Sequence, residues 1–524
     1  MLFGHAGVHS VAAVLARVTT FTIDGLASRR IAVEVDLRRG LPAFTIVGRG
    51  DAAVRESRER VHAALLNSGF AFPQRRVTVN LAPAHLPKVG PGFDLATACG
   101  VLAASEQLPV EQLERWAVFG ELSLSGELRH CRGALAVAEG ARRAGLAGLL
   151  VPRECAREAA LVADLLIAGA GSLREVAAIL SGAPPPALPE PALLPAAAEL
   201  GAAEELDLAD VRGHPGAIRA VTIAAAGGHN LLLSGPPGIG KTMLARRLPS
   251  VLPALSRDEA IEVTRIHSIA GMRAGGGLIE QRPLRAPHHT ISPPGLVGGG
   301  SLPAPGEASL AHRGVLFLDE LSEFSRAALE ALRQPLEDGH VAIIRGQRRV
   351  VFPTVFQLVA STNPCPCGFA GSDRCRCAPS EIARHRRKLS GPLLDRLDLL
   401  VDMQRPQAGA LQCDAATSSA EVRAAVGEAR ERQAARLAGS RVLTNARLSS
   451  RLLREHVCAD AAAHATLAHS YADGQLSARG HDRVLRVART IADLAGSRRV
   501  SAAHVREALG LRQDDAVRQA EQAA

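Results

Sequence analysis

Apolar and polar positions change rhythm three times along the chain. Residues 18–47 alternate in β-rich segments broken at Asp24-Gly25 and Arg39-Gly40, residues 52–66 carry apolar side chains at helical spacing, and residues 76–81 return to alternation. Alternating and helical segments mixed in this way predict an α+β domain over residues 16–182, with residues 1–15 as a tail. Prolines 184, 185, 186, 189 and 191 then predict a semi-extended linker over residues 183–204. Beyond it, Leu231-Leu232-Leu233, Val315-Leu316-Phe317-Leu318 and Leu358-Val359-Ala360 are short apolar runs fit for buried parallel strands of an α/β core over residues 205–408. From about Ser418 the rhythm is helical throughout, over 421–437, 449–457, 461–470, 478–494 and 502–509, which predicts a helical lid over residues 409–524.

Composition narrows the classes. At 524 residues the chain exceeds one core and suits about three domains, and 47% apolar residues let each domain bury its own. A single Trp and a single Tyr argue against the aromatic platforms of many single-strand binders. The net charge of +9 admits an acidic polymer as partner, and equally a solvated basic surface. Nine cysteines, odd in number and mostly scattered, suit a reducing cytoplasm better than a disulfide framework. No apolar run has the length of a membrane span, and residues 1–18 lack a basic n-region, so neither a signal peptide nor a membrane anchor is expected.

The chemistry concentrates after the first apolar run. Gly235-Pro236-Pro237-Gly238-Ile239-Gly240-Lys241-Thr242 is a phosphate-binding loop, in which glycines let successive backbone N–H groups face an anion. Lys241 reaches the β- and γ-phosphates of ATP, Thr242 offers its hydroxyl to Mg²⁺, and residues 243–248 read as the helix whose N-terminal dipole faces the phosphates. Asp319 and Glu320 end the second run, where Asp319 can hold the magnesium shell and Glu320 can polarise the attacking water. Asn363 ends the third and can orient water, as the first sensor of AAA+ ATPases does. Arg396 is placed like the finger that AAA+ rings insert into a neighbouring subunit's nucleotide; a surface arginine is the other reading.

Two further stretches carry their own chemistry. Residues 341–344 and 350–352 are β-rich arms around Arg345-Gly346-Gln347-Arg348-Arg349, a hairpin tip whose Arg345, Arg348 and Arg349 suit backbone phosphates of DNA or form an unpartnered basic turn. Cys365, Cys367, Cys375 and Cys377 put four thiols in one short loop, enough to close a tetrahedral zinc site; free thiols and a redox pair are the competing readings.

Two resemblances complete the reading. Pro87-Lys88-Val89-Gly90-Pro91-Gly92-Phe93-Asp94 and Gly120-Glu121-Leu122-Ser123-Leu124-Ser125-Gly126-Glu127-Leu128 resemble the proteolytic domain of Lon-type proteases, which has a ribosomal-S5-like fold. Gly92 stands at the serine position and the lysine position falls near Ala136, so no acyl-enzyme chemistry is expected. Gly227-Gly228-His229-Asn230, Arg285-Ala286-Pro287-His288-His289-Thr290, Gly306-Glu307-Ala308-Ser309-Leu310-Ala311-His312 and Ser477-Ala478-Arg479-Gly480-His481-Asp482-Arg483 look like the YifB/ComM family of magnesium-chelatase-like AAA+ proteins. This resemblance implies a homo-hexameric AAA+ motor of the helix-2-insert group, with a lid of the magnesium-chelatase C-terminal type. ComM members are described as DNA helicases that drive branch migration during natural transformation, so single-stranded or branched DNA is the implied partner. The family pattern places the helix-2 insert at residues 291–301, the pre-sensor hairpin at 341–351 and the second sensor at Arg479, with Arg483 second in preference. For His288-His289 a structural role is favoured over a metal role. Two other classes compete: a magnesium-chelatase-type motor serving a porphyrin-carrying complex, and a regulator that uses ATP as a switch.

Overall fold

The computed structural model describes residues 15–188, 206–272, 277–300, 303–345, 348–388, 391–406, 408–411, 417–440, 442–474 and 476–512. The tail 1–14 and most of the linker, 189–204, lie outside the described residues. The chain divides into two compact units, Met1–Gly201 with Thr264–Ile279, and Ala202–Val263 with Glu280–Ala524.

In the first unit Leu15–Asp24 and Ala27–Arg38 pair as an antiparallel hairpin, in register from Leu15↔Asp36 to Asp24↔Ala27. Gly25, at φ +65°, turns it. Ala43–Val47, Arg76–Ala82, Trp116–Val118, Gly148–Pro152 and Leu166–Ala170 extend it to a seven-stranded mixed sheet. Alternation in Arg76–Ala82 buries Val77, Val79 and Leu81 in a core shared with the helices Ala52–Asn67 and Asp94–Ala104. This is the α+β domain that the alternating pattern predicts.

The Lon-type catalytic positions carry no nucleophile and no room for one. A Cβ at Gly92 would lie 2.4 Å from Phe119 Cε2, so the phenyl ring fills the space a serine side chain requires. Ala136 is buried, and its carbonyl accepts a bond from Ser28 Oγ at 2.7 Å. The end of the helix Arg257–Ala270 also belongs to this unit. Ser268 Oγ donates to the buried Glu158 carboxylate at 2.5 Å and accepts from Gly133 N at 3.0 Å. The sequence pattern assigns residues 264–279 to the ATPase core; the fold gives them to the first unit because their polar partners lie more than a hundred residues upstream.

The second unit holds a five-stranded parallel sheet in the order Leu284–Arg285, Val315–Leu318, Gln357–Thr362, Leu231–Ser234, Leu399–Asp402. Leu231–Ser234 lies between two neighbours, with Leu231 opposite both Val359 and Leu399. Because every pairing is parallel, Gly235, Asp319, Asn363 and Met403 each follow a strand end on the same edge of the sheet, the edge where open α/β sheets bind ligands. The loop helix spans Lys241–Arg246 rather than 243–248. It stops at Arg247, before Pro249 in the next short helix Leu248–Val251, because proline has no N–H to continue the ladder.

Residues 291–301 include a helical turn, Pro293–Val297, rather than loop alone. Ser292 Oγ caps it by accepting from Gly295 N, and proline supplies a preset φ in its first turn. Ser301 lies outside the described residues. The lid consists of Ser419–Arg436, Ser450–His456, Ala461–Ala472, Ala478–Leu494 and Ala502–Gly510. Ser418 and Glu421 close a capping box on the first of these. Inside the lid, the buried Asp493 binds Arg436 at 2.7 Å and Arg489 at 3.0 Å, so each buried charge has its partner.

Candidate nucleotide-binding site

Three sequence-separated groups converge at the carboxyl edge of the parallel sheet. Lys241 Nζ donates to Gly235 O at 2.6 Å, to Pro236 O at 2.9 Å and to Asn363 Oδ1 at 3.0 Å. Burial pushes the Lys241 pKa down, while the charges of Asp319 and Glu320 oppose the shift. Thr242 Oγ1 donates to Asp319 Oδ2 at 2.9 Å, and Asp319 Oδ1 accepts from Ser361 Oγ. A hydroxyl and a carboxylate side by side are hard oxygen ligands, a donor set that fits magnesium. Lys241, Thr242, Asp319 and Asn363 are thus one connected group.

Glu320 stands next to it in a left-handed backbone conformation, φ +52°. For a non-glycine residue that is an uncommon and costly state, of the kind that clusters at functional sites. Its N–H donates to Asp319 Oδ1 at 3.1 Å and its carboxylate lies 3.9 Å from His289 Nδ1. The His288 and His289 rings pack with centroids 4.0 Å apart.

Beside the loop opens a cavity of about 580 Å³, lined among others by Gly213, His214, Pro215, Leu400, Met403 and Arg405. Its wall is tied to the strand that leads into the phosphate-binding loop, since Met403 N donates to Ser234 O at 2.7 Å. A Cβ at Gly235 would meet Met403 O at 2.3 Å. The volume is that of a small-molecule site. Motif reading misses this cavity because its walls come from three distant stretches; the turn at Gly213, φ +77°, ahead of the helix Pro215–Gly227 is the local sign of it.

Comparison with known proteins agrees with this geometry. Residues 33–155 match the family described as "Subunit ChlI of Mg-chelatase", residues 207–411 "Magnesium chelatase, subunit ChlI", and residues 416–512 "Magnesium chelatase, subunit ChlI C-terminal". The competence protein ComM of Haemophilus influenzae is 42% identical over 490 residues, covering 93% of this chain and 95% of that protein. The chain belongs to the YifB/ComM family of magnesium-chelatase-like AAA+ proteins. YifB of Escherichia coli is 41% identical over 503 residues, 96% of this chain and 97% of YifB. An uncharacterized protein of Mycobacterium tuberculosis is 45% identical over 508 residues, 96% of this chain and all of that protein. A distant match, 26% over 193 residues covering 32% of this chain and 34% of the relative, is to Lon protease 2 of Bacillus subtilis.

In this YifB/ComM chain the arginines foreseen as finger and sensor lie in different settings. Arg396 is ion-paired with Glu337 of its own chain, and its side chain is 15% exposed. Arg479 and Arg483 share a face of Ala478–Leu494, being four residues apart. Arg479 is 75% exposed with Asp395 at 3.7 Å, whereas Arg483 is 11% exposed between Asp395 and Asp398.

The hairpin and the cysteine loop both form. His340–Arg345 pairs antiparallel with Arg348–Pro353, Arg345 opposite Arg348. Val341, Ile343, Val350 and Phe352 are buried on one face, while Ile344, Arg345 and Arg349 are exposed; the tip, Gly346 and Gln347, lies outside the described residues. The Sγ atoms of Cys365, Cys367, Cys375 and Cys377 all lie within 4.8 Å of one another. Backbone N–H groups of Arg376 and Phe369 hold the Cys367 thiol down to about 6. Among the described residues, no helix is long and apolar enough to cross a membrane.

Proposed function

We propose that the chain is a ring-forming, ATP-hydrolysing motor that acts on DNA in the cytoplasm. The observation that carries the ATPase reading is the convergence of Lys241, Asn363, Thr242 and Asp319 beside a cavity large enough for a nucleoside. Glycine N–H groups of the loop and Lys241 bind the β- and γ-phosphates. Thr242 and Asp319 hold the magnesium ion, which when bound offsets phosphate charge. Glu320 takes the proton of the attacking water, and Asn363 orients that water. Arg479 reads the nucleotide from the lid, since its guanidinium is 75% exposed, whereas that of Arg483 is 11% exposed with Asp395 and Asp398 at 3.9 and 3.8 Å. Arg396 exchanges Glu337 for the nucleotide of the neighbouring subunit in a hexamer. The four thiols hold zinc.

DNA as the substrate is supported by the exposed Arg345 and Arg349 on the hairpin, by the net charge of +9, and by the relative named as a competence protein. Single-stranded or branched DNA is the form that family resemblance points to. The test is ATP turnover of the purified chain with no DNA and with single-stranded, duplex and four-way-branched DNA. Stimulation of several-fold by at least one form is expected. A response flat across all forms overturns the DNA motor and leaves an ATP-switched regulator.

A further inference from the structure

The loop that follows Asn363 has two properties that belong together. The first is its sulfur geometry: Cys365 Sγ lies 3.4 Å from Cys367 Sγ and 3.9 Å from Cys375 Sγ, and Cys367 Sγ lies 3.7 Å from Cys375 Sγ. A tetrahedral zinc site with arms of about 2.3 Å has sulfur–sulfur edges of about 3.8 Å. Ala370 N–H donates to Cys365 Sγ at 3.2 Å, which fixes the position of that sulfur. All eight cysteines among the described residues are free thiols.

The second property is where the loop rests. A Cβ at Gly368 would lie 2.5 Å from Pro237 Cδ, and Gly368 holds φ +82°. The cysteine loop therefore packs its backbone directly on the phosphate-binding loop, at a point that admits no side chain. On either flank the same segment is tied to the site: Asn363 Oδ1 accepts from Lys241, and Asn363 O faces His385 Nε2 at 3.0 Å on the helix Pro379–Lys388 that follows the loop. A 15-residue stretch from Asn363 to Cys377 has few apolar side chains of its own to hold this shape, and a metal supplies what a core would.

We propose that the four cysteines bind one zinc ion as thiolates, and that the zinc-held loop props the phosphate-binding loop through Gly368 and Pro237, so that nucleotide affinity depends on the bound metal. Four Zn–S bonds form as the remaining thiol protons pass to solvent, with no redox change. The metal half stands on sulfur geometry alone; the nucleotide half rests on the ATPase reading above.

The experiment uses the full chain purified without chelator, with zinc content by elemental analysis and affinity from titration with a fluorescent ATP analogue. The parent carries one zinc per chain. The double variant Cys375→Ser with Cys377→Ser carries none and binds nucleotide at least tenfold more weakly. Gly368→Ala keeps its zinc, because all four thiols remain, yet also loses affinity, because its methyl group pushes on Pro237. To separate this from misfolding, folded parent is stripped with a chelator, losing affinity, and regains it on adding zinc alone. A parent without zinc overturns the site. Zinc-free variant or stripped parent that binds nucleotide as the parent does overturns the prop. A zinc-loaded parent that binds no nucleotide removes the ATPase reading and leaves the metal site standing.

Discussion

Lys241 directs its three N–H bonds to two carbonyls of its own loop and to Asn363, so the donors a phosphate needs are already gathered where it would arrive. Lys241→Ala is expected to weaken ATP binding itself, measured by titration with the fluorescent analogue. Glu320→Gln, which removes a base while keeping size and the strained backbone position, is expected to bind ATP within a few-fold of the parent and to hydrolyse it about 10²-fold or more slowly. A Glu320→Gln turnover within threefold of the parent removes Glu320 as the base. The identities of Lys241, Thr242, Asp319 and Glu320 were legible in the sequence because each belongs to a short motif whose chemistry dictates its spacing. The bonds between them were not: Lys241 meets Asn363 across 122 residues, and His385 reaches the Asn363 carbonyl from a helix with no strong local signal. The choice between Arg479 and Arg483 is open in the sequence for the same reason, since the exposure of one and the burial of the other come only with the fold.

Elements were legible where one face of each is apolar. The hairpin is the clearest case, with Val341, Ile343, Val350 and Phe352 buried on one face and Arg345 and Arg349 exposed. Changing Arg345, Arg348 and Arg349 to Ala together leaves the packing of those four apolar residues intact, so melting temperature and basal ATP hydrolysis stay near parental values. DNA affinity and the slope of its logarithm against the logarithm of salt concentration should both fall, the slope by up to about 0.7 for each single-strand phosphate the arginines no longer neutralise. Unchanged affinity and slope would move the DNA-binding surface away from the hairpin. What the sequence could not show is how elements are pinned to one another. Glu262, on the helix Arg257–Ala270, is held by His312 at 3.1 Å and Arg313 at 2.9 Å, while Val355 N donates to His312 Nδ1 at 3.0 Å. That backbone bond leaves Nε2–H to donate to the carboxylate, so the ring is neutral when folded. Burial pushes His312 below its ordinary 6.5, and the His312 bond, aided by Arg313, holds Glu262 down to about 2 against an ordinary 4.5. Both folded values are depressed. The neutral ring's contribution to stability is therefore whole above pH 6.5 and fades below it; the carboxylate's is whole above 4.5 and fades towards 2. Melting curves across pH 8 to 3 should show stability falling from pH 6.5 downward, and Glu262→Gln should flatten the limb below 4.5. A parental slope in that variant below 4.5 would exclude the carboxylate as its source.

At the scale of the whole molecule the question is what completes the nucleotide site. Within one chain Arg396 is bound to Glu337, while the carboxyl edge of the sheet supplies Lys241, Thr242, Asp319, Glu320 and Asn363 but no arginine hydrogen-bonded to any of them among the described residues. Phosphoryl transfer in this class of ATPase is accelerated by a cation placed on the charge that develops in the transition state, a contribution of about 10³-fold or more when the arginine comes from another subunit. If Arg396 supplies that charge across a subunit boundary, a ring in which every chain lacks Arg396 and a ring in which every chain lacks Lys241 are both inactive, for different reasons. Mixing the two restores productive neighbours: a chain with Lys241 intact sits beside one whose Arg396 is intact. Arg396→Ala and Lys241→Ala chains, unfolded together or co-expressed and recovered as mixed rings, should therefore regain a measurable fraction of parental turnover that neither shows alone. Mixed composition is verified by differential tags purified in series. If verified mixed rings remain as inactive as the separate ones, Arg396 does not act between subunits, and its bond to Glu337 is its structural role within one chain.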